Sequence, residues 1–227
     1  MFKITCAAIL AGIMFTNLSG AELKAVQNKI QYGKTAFNLQ NGRISVTCPK
    51  LQLVQIAPHF TTKGKKRWYS FTNQDAAPKL VSSENNTWKF QSAIPLNAGS
   101  DVLKAAETIT MTPFGTIEAE ISWEKPAEPK DLLETACFFT IPMKALGDHK
   151  LIVDGKDIEV VKETKYGWFS RVMENPSFVL YPGVEGQEFS LVFQGKYGVS
   201  IGTVKNSGVT VRVISTKSPI KYTITPK

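Results

Sequence analysis

Thr108-Ile-Thr-Met-Thr-Pro-Phe-Gly-Thr-Ile-Glu-Ala-Glu-Ile-Ser-Trp123 decides how the rest of the chain is read. Ile109 and Met111 alternate with Thr108, Thr110 and Thr112. Beyond Pro113-Phe114-Gly115, Ile117, Ala119, Ile121 and Trp123 alternate with Thr116, Glu118, Glu120 and Ser122. A period of two on both sides of a Pro/Gly turn specifies a β-hairpin with one wet and one dry face. The dry face needs a second sheet to cover it, so the stretch predicts a sandwich.

The same grammar extends outward. Asn41-Gly42 lies between alternating segments, as does Asp154-Gly155, and both dipeptides are strong hairpin turns. Leu51 and Leu53, with Gln55, read as one side of a strand. Leu80–Ser82 and Thr87–Ser92 flank a Glu84-Asn85-Asn86 turn. Residues 132–141 form a near-continuous apolar run, as in a strand at the centre of a sandwich. Phe189, Leu191 and Phe193, then Val199, Ile201 and Thr203, then Val209, Val211 and Val213, then Ile220, Tyr222 and Ile224 alternate to the end. Residues 22–32 give no firm assignment, and nothing shows a long helical period. The predicted fold is all-β: a large antiparallel two-sheet β-sandwich, with Ile117, Ile121, Trp123, Phe139, Leu191, Val211 and Ile224 in its core.

Ahead of this lies a stretch with the form of an export signal. Lys3 precedes an apolar run of 12 residues, Ile4 to Phe15, and Ser19-Gly20-Ala21 supplies small residues at a cleavage site. The run is well short of the ~20 residues a spanning helix needs. The expectation is a signal peptide over residues 1–21 and one exported domain over 22–227, periplasmic or extracellular, with no membrane span in the mature chain. Cleavage would remove Lys3 and no acid, leaving 26 basic against 19 acidic residues, a formal +7. That excess suits an anionic partner, an acidic polysaccharide or envelope glycan; export argues against nucleic acid. The bland reading, that exported proteins are often simply basic, stands beside it. Oligomeric state is not legible.

Cys48 and Cys137 remain after processing, 89 residues apart and each in an alternating segment. In an oxidising compartment the pair reads as a disulfide. Two unlinked core thiols fit the pattern equally well.

Most catalytic signatures are missing. His59 and His149 are the only histidines and have no metal-ligand spacing; a nucleophile elbow and a phosphate-cradling glycine loop are absent, so no cofactor or metal is implied. Glu118 and Glu120 share a strand face, which is more often a solvated face than a glycosidase pair. Asp154 and Asp157 are explained by their turn. Aromatics beside cations are more suggestive. Lys65, Lys66 and Arg67 run directly into Trp68 and Tyr69, and Trp168 precedes Arg171. Rings suit sugar faces and cations suit their carboxylates or sulfates, so these six residues, from Lys65 to Tyr69 with Trp168, form the candidate ligand-binding set. The alternative is a solvated loop and four core tryptophans.

The succession Glu107-Thr-Ile-Thr-Met-Thr-Pro-Phe-Gly-Thr-Ile-Glu-Ala-Glu-Ile-Ser-Trp123, then Ala136-Cys-Phe-Phe-Thr-Ile-Pro-Met143, then Leu151-Ile-Val-Asp-Gly-Lys156 resembles galactose-mutarotase-like β-supersandwich domains, which accompany bacterial polysaccharide-degrading enzymes. The resemblance covers residues 100–160 and rests on strand layout. It implies a carbohydrate setting. Mutarotases resemble one another in a histidine pair with a glutamate base, a set that cannot be placed here, which argues against epimerase activity. The leading expectation is a non-catalytic carbohydrate-binding protein or an accessory to polysaccharide processing. The alternatives are a small polysaccharide lyase or glycoside hydrolase, and a structural envelope protein without enzymatic function.

Overall fold

The computed structural model of the chain describes residues 22–49, 51–62, 68–70, 78–95, 102–124, 132–163, 165–204 and 208–227. The segment read as a signal, 1–21, lies outside them. The chain first lays down an antiparallel meander: β1 (Leu23–Val26), β2 (Lys29–Tyr32), β3 (Thr35–Gln40), β4 (Arg43–Cys48) and β5 (Leu51–Thr62), with β6 (Trp68–Ser70) paired to the end of β5. A second meander follows in the facing sheet: β7 (Lys79–Glu84), β8 (Thr87–Pro95), β9 (Val102–Met111) and β10 (Ile117–Glu124).

From there the chain crosses between layers. β11 (Leu132–Ile141) returns to β5, and the one-turn helix α1 (Met143–Leu146) leads back to β12 (Leu151–Val153) and β13 (Lys156–Ile158). β14 (Lys165–Glu174) crosses again, and β15 (Ser177–Leu180) with β16 (Phe189–Phe193) cross back. β17 (Lys196–Val204) and β18 (Gly208–Ser215) join the first sheet, and β19 (Ile220–Pro226) closes the second between β16 and β10. The result is a ten-stranded sheet packed on a nine-stranded one, every pairing antiparallel. Among the described residues no helix is long and apolar enough to cross a membrane.

The predicted hairpin is β9–β10, with Ile117 opposite Met111 and Trp123 opposite Ala105. Ile117, Ile121, Phe139, Leu191, Val211 and Ile224 are fully buried and Trp123 nearly so. Residues 22–32, unassigned from sequence, form the β1–β2 hairpin because Gln27 takes a left-handed conformation at its turn.

Rings tie the layers. Phe37 meets Phe189 edge-on at 6.1 Å, Phe60 meets Trp123 at 5.9 Å and Phe139 meets Phe178 at 5.0 Å. The Tyr181 phenol reaches through the core to donate to the Leu53 carbonyl at 2.5 Å.

Two local features decide which side chains face outward from the ten-stranded sheet. The first corrects the sequence reading of Leu51, Leu53 and Gln55 as one side. The β4–β5 register slips between Val46 and Thr47, and the consecutive residues Leu53 and Val54 are both fully buried. This bulge inverts the alternation, so Val54, Ile56, Pro58 and Phe60 point inward while Gln55, Ala57 and His59 point out. The second is Gly208, at φ +127°, where β18 meets the end of β11. A Cβ there would sit 1.9 Å from the Ile141 carbonyl oxygen. Only glycine lets the two backbones close into register.

The disulfide reading is corrected: Cys48 and Cys137 are both free. Cys48 pairs with Leu51 on β5 and Cys137 with Pro58, seven residues farther along the same strand. At ~3.3 Å per residue that is roughly 20 Å, far beyond the ~7 Å limit for a bridge.

Two outcomes test this fold. Maleimide should label Cys48, which is partly exposed, in the native protein and Cys137, at 0% exposure, only after denaturation. Ile121→Asp should abolish cooperative melting and native circular dichroism, because it buries a carboxylate in a fully apolar position.

Candidate functional site

The pairing registers of β5, β11, β18 and β17 set the outer surface of the ten-stranded sheet in rows. Ala57 lies opposite Phe138, Phe138 opposite Arg212, and Arg212 opposite Ser200. The next row runs Gln55, Thr140, Thr210 and Gly202. The row on the other side begins His59, Ala136, Ile214 and Gly198. Gly202 leaves β17 without a side chain at that point, and a groove of about 330 Å³ opens over it. Its lining includes Phe138, Thr140, Ser200, Thr210 and Arg212, with His59 and Gly167, which sits at a register irregularity of β14.

Arg212 and His59 are each held by neighbours. Arg212 Nη1 lies 3.6 Å from Glu134 Oε2, an ion pair longer than a good hydrogen bond, and Nη2 donates to Ser200 Oγ at 3.2 Å. His59 stacks on Phe138 with centroids 4.0 Å apart and planes 12° apart. Only 6% of His59 is exposed. Burial, and then the positive charge of Arg212, lower its pKa from 6.5 to about 4. The imidazole is therefore neutral at pH 7 and serves as a flat, uncharged backing for the phenyl ring.

A larger hollow, about 570 Å³, lies over the edge of the nine-stranded sheet between Lys79, Gln91, Lys104, Ser122 and Glu124. Lys104 and Glu124 are cross-strand partners there, so its charges oppose each other in place. The smaller groove has the better chemistry, since an aromatic ring, a guanidinium and three hydroxyls converge in it.

Of the ligand-binding candidates read from sequence, only Trp168 has a described side chain, and it is not in the groove lining. Lys65, Lys66 and Arg67 lie outside the described residues. Trp68 and Tyr69 contribute backbone to β6, opposite Thr61 and Phe60, and their side chains also lie outside. Trp168 is half-buried against the core, and its indole N–H donates to Thr203 Oγ1 at 3.0 Å. Glu118 and Glu120 face outward, Glu120 held by Lys221 at 3.0 Å. Asp154 Oδ1 accepts from the Ser177 N–H at 2.7 Å and does turn work.

Sequence reasoning missed Phe138, Glu134 and Arg212. The usable signal was parity: Glu134 and Phe138 are out of phase with Thr135, Cys137, Phe139 and Ile141. It also missed Glu107, which falls in phase with Leu103, Ala105 and Ile109 and is 0% exposed. Its Oε1 accepts from the Tyr222 hydroxyl at 3.3 Å, while Oε2 has no partner among the described residues. Burial raises its pKa from 4.5 to about 8, against the weaker pull of Tyr222. The same burial, and then the Glu107 charge, push the Cys137 thiol and Tyr222 phenol well above their usual ranges. This is a neutral core acid, closed off from any ligand.

No known protein family and no curated protein matches the sequence. Among solved structures, the crystal structure of 4-alpha-glucanotransferase from Thermococcus litoralis aligns with 89% of this chain and 36% of its own at 10% identity and a TM-score of 0.43. The chain thus spans about a third of that protein's length, and a likeness at this level carries no chemistry across.

His59 and Glu107 together shape stability against pH. His59 has a lowered folded pKa, so its contribution is complete above 6.5 and is lost as pH falls toward 4. Glu107 has a raised one, so its contribution is complete below 4.5 and is lost as pH rises toward 8. Between 4.5 and 6.5 the two slopes oppose each other. Denaturant unfolding should show a plateau there for these two groups, then a fall of about 1.4 kcal/mol per pH unit between 6.5 and 8. Glu107→Gln should remove the alkaline fall and leave the acid limb.

Proposed function

We propose that the protein is an exported carbohydrate-binding module, non-catalytic in itself, that holds one ring of an acidic glycan in the groove over β11, β18 and β17. The observation that carries this reading is the convergence of Phe138, backed by His59, with the braced Arg212. An aromatic surface beside hydroxyl donors and acceptors suits a sugar ring, and a guanidinium suits its carboxylate through a charge-assisted fork. Because Glu134 and Ser200 hold Arg212, little ordering entropy remains to be lost on binding.

Binding is favoured over hydrolysis or elimination because the groove's titratable groups are already committed. His59 is almost wholly covered, and Glu134, a half-buried carboxylate outside the groove lining, faces Arg212 through Oε2. A general acid or base needs access to the proton it moves and a pKa near working pH. The resemblance to mutarotase-like supersandwich domains supports the sugar setting in the same sense. The basic run Lys65, Lys66 and Arg67 links β5 to β6, and β6 pairs with β5 beside His59. In this reading the run adds long-range attraction for the same anionic ligand, with Trp68, Tyr69 and Trp168 as the aromatic members of the earlier set.

Calorimetric titration of residues 22–227 with uronic acids and matched neutral sugars tests the proposal. Wild type should bind the uronates, with affinity falling as salt rises. Phe138→Ala should weaken binding at least about tenfold, the scale of a lost aromatic platform. Equal binding by the variant, or product release from an acidic polysaccharide, would overturn the reading.

A further inference from the structure

On the central strands of the ten-stranded sheet, Arg43 faces outward beyond the groove. Arg43 sits on β4, where Ile44 is fully buried and Arg43 therefore faces out. Ile44 pairs with Ile56, Ile56 with Phe139 and Phe139 with Val211. One residue along, Arg43 thus shares a row with Ala57, Phe138 and Arg212. The two arginines stand at the ends of that row with a methyl side chain and the groove's ring between them. Three strand spacings separate their backbones, about 14 Å.

The two guanidiniums are held differently. Arg212 has a carboxylate, Glu134. Arg43 lies against the Gln55 amide; with that amide turned so that its oxygen faces the guanidinium, the orientation that satisfies both groups, the oxygen accepts from Nη1 at 2.5 Å and Nε at 3.1 Å. Among the described residues no carboxylate pairs with Arg43. It is only partly exposed, and burial lowers its pKa. A partly desolvated cation positioned by a neutral amide keeps both its charge and most of its donors available. That is a poor arrangement for stability alone and a good one for an incoming anion.

We propose that Arg43 is a second anion subsite, and that the ligand is an oligosaccharide bearing carboxylates or sulfates on more than one residue, laid across β4, β5, β11 and β18. This rests on the groove holding a sugar ring, as proposed above. Phe138 and Arg212 take one residue of the chain. Ala57 contributes only a methyl group between them, and Arg43 takes an acidic group farther along. The separation exceeds a single ring, so a monosaccharide engages Arg212 alone.

A chain-length series separates this from the groove reading. Residues 22–227 are titrated with galacturonic acid and with its dimer to hexamer, alongside neutral oligomers of the same lengths. Wild type should gain about tenfold in affinity as the acidic series lengthens, the scale of one added charge-assisted contact. Arg43→Gln should bind the monomer like wild type and lose that gain; Arg43→Lys should keep part of it. Melting temperatures of the variants establish that they are folded. A flat wild-type series, an equal gain for neutral oligomers, or an unchanged gain in Arg43→Gln would overturn the second subsite while leaving the groove intact. Failure of wild type to bind any member would remove the groove and the subsite together.

Discussion

Edge-on rings between the layers are the constraint from which the rest follows. Phe37 on Phe189, Phe60 on Trp123 and Phe139 on Phe178 join strands that lie far apart in sequence. Each pair fixes which parity of its strand faces in, and a strand slipped by one residue would expose its ring and bury its polar neighbours. The chain crosses repeatedly between sheets, so an error in one strand would propagate through its pairings to both layers. Tyr181 adds a polar tie. Its backbone is in the left-handed region, φ 56°, uncommon for a bulky residue. The buried phenol and its bond to Leu53 hold it there.

Fixing the inward parity also fixes the outward one, and the groove is its by-product. Arg212 faces out because Val211 and Val213 face in. Phe138 faces out because Cys137 and Phe139 face in. His59 is outward only because the bulge at Leu53–Val54 adds one residue to β5. Without that residue the imidazole would point into the core and Phe138 would lose its backing. Gly208 acts two strands over, on β18, since the contact it permits at Ile141 sets where Thr210 and Arg212 fall against β11.

Alternation made the sheets legible. The hairpins at Asn41-Gly42, Pro113–Gly115 and Asp154-Gly155, and the final four strands, stand where the pattern and turn chemistry put them. What was hidden has specific causes. A bulge leaves no mark on composition, so Leu51, Leu53 and Gln55 looked like one face. In β11 both faces carry apolar side chains, so Phe138 could not be told from Phe139 by hydrophobicity, only by parity. Glu107 stands in an apolar register, where a carboxylate reads as an interruption rather than a buried acid. The candidates Lys65 to Tyr69 are adjacent in sequence and so are legible there. The groove instead gathers residues from β5, β11, β18 and β17, and only strand pairing brings those together.

The two outer faces divide the chain's charge unequally, and this says which one meets an anion. On the central strands of the nine-stranded sheet, Lys89, Lys104 and Lys221 stand among Glu118, Glu120 and Glu124. Lys221 bridges to Glu120, and Lys104 lies opposite Glu124. Opposite signs within a few ångströms cancel beyond about a Debye length, ~10 Å in ordinary salt. Among the described residues of β4, β5, β11 and β18, Arg43 and Arg212 share this face with one carboxylate, Glu134, which lies beside Arg212. The uncancelled charge is therefore on the Arg43 side, over a low-dielectric sheet that screens it poorly. A long anion approaching this face meets the amide-held guanidinium of Arg43 as the stronger attraction and the carboxylate-braced one of Arg212 as the more selective contact. Arg43 thus contributes reach and Arg212, with Phe138, contributes fit.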